Sequence, residues 1–522
     1  MGTRCRSLFT RAVFLAVFLT PSLLNSGCTG AGVALDEPSA QLTSAPWTIK
    51  AENAKPGTTN WQITNAAHGR EIEGFASATS VNRGEDISIF VNTTDRFYLM
   101  EFFRLGWYGG AGGREVMPSV VRGGRTQPMP APDLETHLVE CQWRDPYVLH
   151  IPNSSDPTEW ASGVYLVKLT GVPSAKQSYV IFVVRDDERI SDLLYQSSVT
   201  TFAAYNNWGG WSLYTHPRAY MVSFNRPYAR DFGAGDFFRW EYNMVRFLER
   251  EGYDVTYATD IDTHARGRLL MSHKGFLSVG HDEYWSWEMR NNVEAARDSG
   301  IGLGFFGADA SYWQIRLQPS TLSTVSNRTI VCYKSVLLDP LATDQNPDNQ
   351  RRTTTLFRDP PVNRPEDSMI GIMFESTFAQ NYDVVVTDAA NWVFENTGLR
   401  DGDHLPGLLG DENDRLFGGA PPSTAVIAHS IYQDLFGQNR YADIATYTAP
   451  SGSTVFAAGS MRWNWGLDDF TTRWHAVLTN AAAQQATRNV LRKLGATDPA
   501  YISPPSDSDS GGQPISKVST QD

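Results

Sequence analysis

Two short apolar runs, Gly275–Gly280 (GFLSVG) and residues 301–307 (IGLGFFG), constrain this chain more than any other stretch. Both are continuous rather than alternating, the pattern of strands buried on two faces in a parallel sheet. Between them the sequence predicts a helix. Ser286 is placed to cap it, Met289, Val293 and Ala296 fall at helical spacing, and Asp298-Ser299-Gly300 stops it. Strand, helix and strand joined by short links imply a right-handed crossover. The runs HDEYW (281–285) and DASYW (309–313) then emerge from the carboxyl ends of their strands. That edge is where open α/β sheets bind ligands, so Tyr284 and Tyr312 are expected to face one site.

The 522 residues exceed what one core holds. Residues 46–187 read as a β domain: Ile87, Ile89 and Val91 alternate, as do Tyr165, Val167 and Leu169, and turn clusters separate the runs. An immunoglobulin-like β-sandwich is the expected form. Its glycine-rich stretch 105–114 lacks the Lys-Ser/Thr ending of a phosphate loop and reads as a tight, aromatic-packed turn. Residues 188–502 read as α/β, with a helix over 237–250 and strands near 254–257, 383–386, 424–428 and 454–458. The expectation there is a doubly wound domain of glutamine-amidotransferase-like or flavodoxin-like kind. Residues 503–522, rich in Ser, Asp, Gly and Pro, are expected to be disordered.

The first 28 residues look like an export signal. Arg4, Arg6 and Arg11 precede an apolar run at 12–24 that Pro21 interrupts, too short for a bilayer span. Ser26-Gly27-Cys28 resembles a lipoprotein cleavage site, which leaves two outcomes: membrane anchoring through a lipidated Cys28, or ordinary secretion. Residues 29–45 read as a linker. Cys141 and Cys332 would then be a disulfide or two separate buried thiols. A net charge of −13 with no basic stripe excludes a nucleic-acid partner. Assembly into a homo-oligomer stays open.

Common hydrolase templates are missing. No G-x-S-x-G places a serine nucleophile, no cysteine follows Gly275–Gly280, and no HExxH offers a zinc helix. The carboxyl edge is rich in oxygen instead: Asp282, Glu283, Tyr284, Asp309, Tyr312 and the acidic run GDENDR at 410–415, read as a loop. Phenolates and carboxylates suit a hard Lewis-acidic cation, and a trivalent iron would hold tyrosines deprotonated.

Several motifs in order carry a resemblance: IEGFASATSVNRG at 72–84, RLGWYGG at 104–110, GHDEYW at 280–285, SYW at 311–313 and AGSMRWNWG at 458–466. From about residue 61 to 466 the chain resembles the N,N-dimethylformamidase large (beta) subunit-like family. The resemblance implies an amidohydrolase with one ferric ion bound by two tyrosines and a glutamate, here Tyr284, Tyr312 and Glu412. It departs at 410–412, where Gly410 stands in place of a histidine and Asp411 in place of an aromatic residue. His281 would orient a ligand, and Glu283 or Asp309 would move protons. The expected function is an exported, metal-dependent hydrolase of a small amide-containing substrate. The alternative is a non-catalytic exported surface protein that binds a glycan.

Overall fold

Alternation along the first half becomes strands with one apolar face. In the computed structural model, Ile87, Ile89 and Val91 of Asp86–Thr93 are all buried. That strand lies between Ile72–Ala76 and Tyr147–His150 in a three-stranded sheet. A five-stranded sheet runs in the order Ser80–Asn82, Gln177–Arg185, Gly163–Val172, Phe97–Leu105, Gly113–Gly123. Ile89 from the first sheet and Met100, Val167 and Val180 from the second share one core. The described residues are 43–473 and 475–501, and all fall in one compact unit. The expected signal with Cys28, the linker up to residue 42 and the tail at 503–522 lie outside them.

After residue 188 the chain becomes mixed α/β. A seven-stranded sheet runs in the order Val255–Thr259, Leu193–Ser197, Gly275–Gly280, Gly302–Gly307, Thr454–Ala457, Asn439–Thr448, Ala425–Gln433. The first five strands are parallel and the last two antiparallel. The two apolar runs are adjacent, and the connecting helix is Trp287–Asp298. Ser286 caps it, its hydroxyl oxygen accepting the Met289 N–H at 3.1 Å. Phe237–Trp240 and Tyr242–Glu251 replace the single helix expected over 237–250. The break falls at Glu241, whose buried carboxylate accepts the Ser198 N–H (2.9 Å) and the Tyr195 O–H (3.0 Å).

The carboxyl ends of the central strands are packed backbone to backbone. A Cβ on Gly307 would lie 2.0 Å from the Gly280 carbonyl oxygen, and Gly280 itself sits at φ +73. Glycine is required at both ends for the two motif loops to start so close together.

A second expectation is corrected. Residues 410–415 are not a loop but the end of the strand His404–Arg415, paired antiparallel with Met373–Val385 so that Thr377 faces Glu412. The ladder satisfies the backbone of the polar end of the strand, while Leu405, Leu408 and Leu409 earlier in it join the main core. Cys141 and Cys332 are free, buried thiols. Among the described residues no helix is long and apolar enough to cross a membrane.

Candidate metal centre

Three segments meet at the carboxyl edge of Gly275–Gly280 and Gly302–Gly307, held by backbone bonds. The Ser311 N–H donates to the Asp282 carbonyl (3.0 Å), and those of Tyr312 and Trp313 donate to the Glu283 carbonyl (2.9 and 3.0 Å). Tyr284–Ser286 then pairs in parallel with Trp313–Gln318. The third segment arrives on His404–Arg415: the Asp309 N–H donates to Asp414 Oδ1 at 2.9 Å, and the Asp414 N–H to the Gly459 carbonyl at 3.0 Å. This last bond brings in the AGSMRWNWG motif. Asp309, Ser311 and Asp411 all sit at left-handed φ (57, 58 and 60), a strain of about 1–3 kcal/mol each that the surrounding bonds hold in place.

His281, Asp309 and Glu412 converge. One ligand atom from each lies within 4.8 Å of the others. His281 and Asp309 are buried, and the Glu412 side chain is 15% exposed. His281 Nε2 is 2.9 Å from Glu412 Oε2 and 3.2 Å from Glu283 Oε2, ion-pair distances. Yet these three atoms, and Asp309 Oδ1, are buried with no partner in hydrogen-bonding geometry. Burial opposes charge on His281, but the Glu412 and Glu283 carboxylates push its imidazole up to about 10. Burial, followed by Glu412 and Glu283, pushes the Asp309 carboxyl well above its usual range. For Glu283 burial acts upward too, but His281 wins and holds the carboxyl below its usual range. A nitrogen and several acid oxygens facing one another without hydrogen-bond partners are a donor set that a cation satisfies; imidazole with carboxylates fits iron, zinc or manganese.

The tyrosines border this group. Tyr284 is buried, and its hydroxyl donates to the Tyr214 hydroxyl at 2.5 Å, which donates in turn to Glu283 Oε1 at 2.7 Å. Burial and then the Glu283 charge hold the Tyr284 phenol well above its usual range. Tyr312 is half-buried, stacks under Arg358 (5.2 Å) and packs on Phe374. Its hydroxyl makes no hydrogen bond among the described residues. Burial and then Asp309 raise its phenol likewise.

Sequence reasoning missed the residues around this core. Tyr205 stacks on Tyr214 (4.1 Å between centroids) and packs on the His281 ring (5.3 Å). Lys334, at φ 52, places its ammonium 3.5 Å from the Tyr214 ring centre and 5.1 Å from that of Tyr284. Tyr205 ends the short helix Val199–Tyr205, whose other residues are all buried, and Tyr214 and Lys334 lie in irregular segments, so no local signal marks them. On the outer side Tyr205 and Tyr214 wall a cleft of about 400 Å³ with Arg230, Asp236 and Arg239.

Residues 99–477 match the family described as N,N-dimethylformamidase beta subunit-like, C-terminal. No curated protein matches the sequence. Among the 18 chains of known structure that match, the Pseudomonas fluorescens alkylpurine DNA glycosylase AlkC bound to DNA containing an abasic site analog is 13% identical. That match covers 22% of this chain and 31% of that one, with a TM-score of 0.14. The chain thus spans under a third of that protein's length, and a likeness so slight carries no argument. The family match takes in well over half of the sequence and every segment that builds the candidate metal centre, and the chain belongs to the N,N-dimethylformamidase beta subunit-like family.

Proposed function

We propose that this protein is an exported, metal-dependent hydrolase of amide C–N bonds. The observation that carries the reading is the convergence of His281, Asp309 and Glu412, whose buried ligand atoms face one another without hydrogen-bonding geometry, at the carboxyl edge of two parallel strands. A cation held there supplies Lewis acidity, polarising an amide carbonyl and easing ionisation of water. The chain's own residues do the rest. Tyr214 fixes Glu283 through Oε1, leaving Oε2 beside the cluster as the atom that takes a proton from water and returns it to the leaving nitrogen. Tyr205 and Tyr214 line a cleft of about 400 Å³, within the size range of small-ligand sites, and also touch His281 and Glu283 of the cluster, and we place substrate binding there.

Ferric iron is the metal we favour, with Tyr284 and Tyr312 as phenolate ligands beside Glu412, as the family resemblance implies. Tyr312 has its hydroxyl uncommitted among the described residues, whereas Tyr284 must give up its bond to Tyr214 to join. We read the N-terminal sheets as immunoglobulin-like and the parallel sheet as doubly wound, and we place the mature protein outside the cytoplasm, secreted or anchored through Cys28.

Metal analysis of purified wild type and of Glu412→Gln, Asp309→Asn, Tyr284→Phe and Tyr312→Phe tests the reading. About one equivalent of metal is expected in wild type and a loss of at least tenfold in affinity in the two acid variants. If iron is the metal, wild type absorbs visible light and each tyrosine variant bleaches or shifts the band. A wild type that binds neither iron, zinc nor manganese overturns the proposal and leaves the glycan-binding alternative.

A further inference from the structure

A second site lies away from the metal centre, where the β-rich strands meet the α/β part. Arg226 and Arg328 come from the same end of a two-stranded ladder, Met221–Ser223 against Thr329–Val331. The Phe224 N–H donates to the Arg328 carbonyl at 2.9 Å. Both guanidinium groups are inside the protein, at 2% and 4% exposure. Neither has a carboxylate at ion-pair distance among the described residues. The nearest acids are engaged elsewhere: Glu140 accepts from Ser223, Asn225 and Thr321, and Asp260 accepts the Thr200 N–H at 2.8 Å.

The bonds these arginines make are all to neutral oxygens. Arg226 donates through Nη1 to the Trp208 and Trp211 carbonyls (3.0 and 2.9 Å) and through Nη2 to that of Asn206 (2.8 Å). Arg328 donates through Nε to Asn225 Oδ1 (2.9 Å) and through Nη2 to the Ala76 carbonyl (3.0 Å). Donors are left over. Arg226 Nε is buried with no acceptor, and Arg328 Nη1 and the Tyr228 hydroxyl have none among the described residues. Arg226, Tyr228 and Arg328 line one cavity of about 30 Å³, together with Gly74, Ala76 and Phe202.

We propose that this cavity binds a small monovalent anion of the halide class, which offsets part of the charge of Arg226 and Arg328 and fastens the β-rich strands to the helix Val199–Tyr205. Two buried positive charges with no carboxylate at ion-pair distance are costly, and paired burial is the rule. The space takes one monatomic ion or one or two waters. Water fits the space and can donate to the Tyr228 hydroxyl or to a carbonyl's second lone pair, but it brings no charge to set against the guanidinium groups. A halide accepts from Arg328 Nη1 and the Tyr228 hydroxyl and brings that charge. Burial also pushes both guanidinium groups down to about 10, the direction expected of cations whose partner is missing.

The inference stands apart from the catalytic reading and is tested on the full-length protein. Melting is followed in sodium chloride, bromide and gluconate at equal ionic strength, and crystals soaked in bromide are examined for anomalous scattering. The expected results are a Tm about 1–3 °C higher in the halides than in gluconate, and a bromide peak between Arg226 and Arg328. In Arg328→Gln the halide dependence should vanish and the peak weaken. Equal Tm in all three salts with no peak in the cavity overturns the proposal, as does bromide bound only at the surface. If the variant does not fold, the wild-type salt series and the bromide map decide alone.

Discussion

His273 shows what burial does to a single group in this protein. It is 6% exposed, its Nδ1 lies 2.6 Å from the Leu269 carbonyl, and its Nε2 lies 2.7 Å from the Thr256 hydroxyl. A ring that donates at Nδ1 and accepts at Nε2 is neutral. Burial holds the imidazole down to about 4; the Leu269 carbonyl and Asp192 pull it back up only in part, and Arg189 adds to the fall. The native state thus binds fewer protons than the unfolded chain between pH 4 and about 6.5. Stability from this group is fully present above that window and is lost as pH falls through it, by about 3 kcal/mol at pH 4. Urea denaturation of wild type and His273→Gln from pH 7 to 4 checks this: the difference between the two curves should shrink or reverse by about that amount. A constant difference would refute the neutral ring. Single residues were unevenly legible. Tyr284, Tyr312, His281, Glu283 and Asp309 stand in strand-end motifs that the sequence displays, whereas Tyr214 and Lys334 reach the same place from irregular segments whose course only tertiary packing sets.

At the scale of elements, the loop at 104–110 is a joint rather than a ligand cradle. Arg104, fully buried, grips Glu249 with two bonds, Nη1 to Oε2 at 2.9 Å and Nη2 to Oε1 at 2.7 Å. Tyr257 also donates to Glu249 (2.8 Å), and Tyr108 donates to Glu52 (2.7 Å). Trp107 lies over Arg246 and Arg250 of the helix Tyr242–Glu251. One network therefore ties Thr48–Asn53, Phe97–Leu105, Tyr242–Glu251 and Val255–Thr259 together. Removing one member of a buried pair strands the other as an uncompensated charge. Glu249→Ala should cost about 3–5 kcal/mol in chemical denaturation, without changing metal content if the fold survives in mild conditions; a loss under 1 kcal/mol would show that Arg104 finds another partner. Periodicity made most strands and the helix Trp287–Asp298 readable because each carries its own apolar face. It failed at His404–Arg415, where Asn413 and Asp414 are buried by a ladder and by neighbouring segments, not by any pattern of their own.

At the scale of the whole molecule, the fold gathers charge where the metal would sit. His281, Glu283, Asp309, Glu412 and Asp414 come from three distant stretches, and all but Glu412 are buried. No stretch of sequence reveals this by itself, since each acid alone resembles a helix cap or a solvated turn. Without a cation the cluster sets carboxylates against one another, offset by the ion pairs that His281 makes with Glu412 and Glu283. With a cation the same group gains RT ln(1 + [L]/Kd), about 2.7 kcal/mol at a hundredfold excess over Kd. Two signs follow. Chelation should lower the wild-type Tm by several degrees, reversibly on adding metal back. Glu412→Gln should narrow the effect of metal. Stripped of metal, it loses a carboxylate that repels Asp309 but also the Glu412–His281 ion pair at 2.9 Å, so it should melt near or below stripped wild type. In excess metal the gap should widen, because the variant binds the cation less tightly. Melting curves of both proteins with and without chelator measure the two gaps, and an equal gap in both states would mean that Glu412 serves the fold rather than the metal.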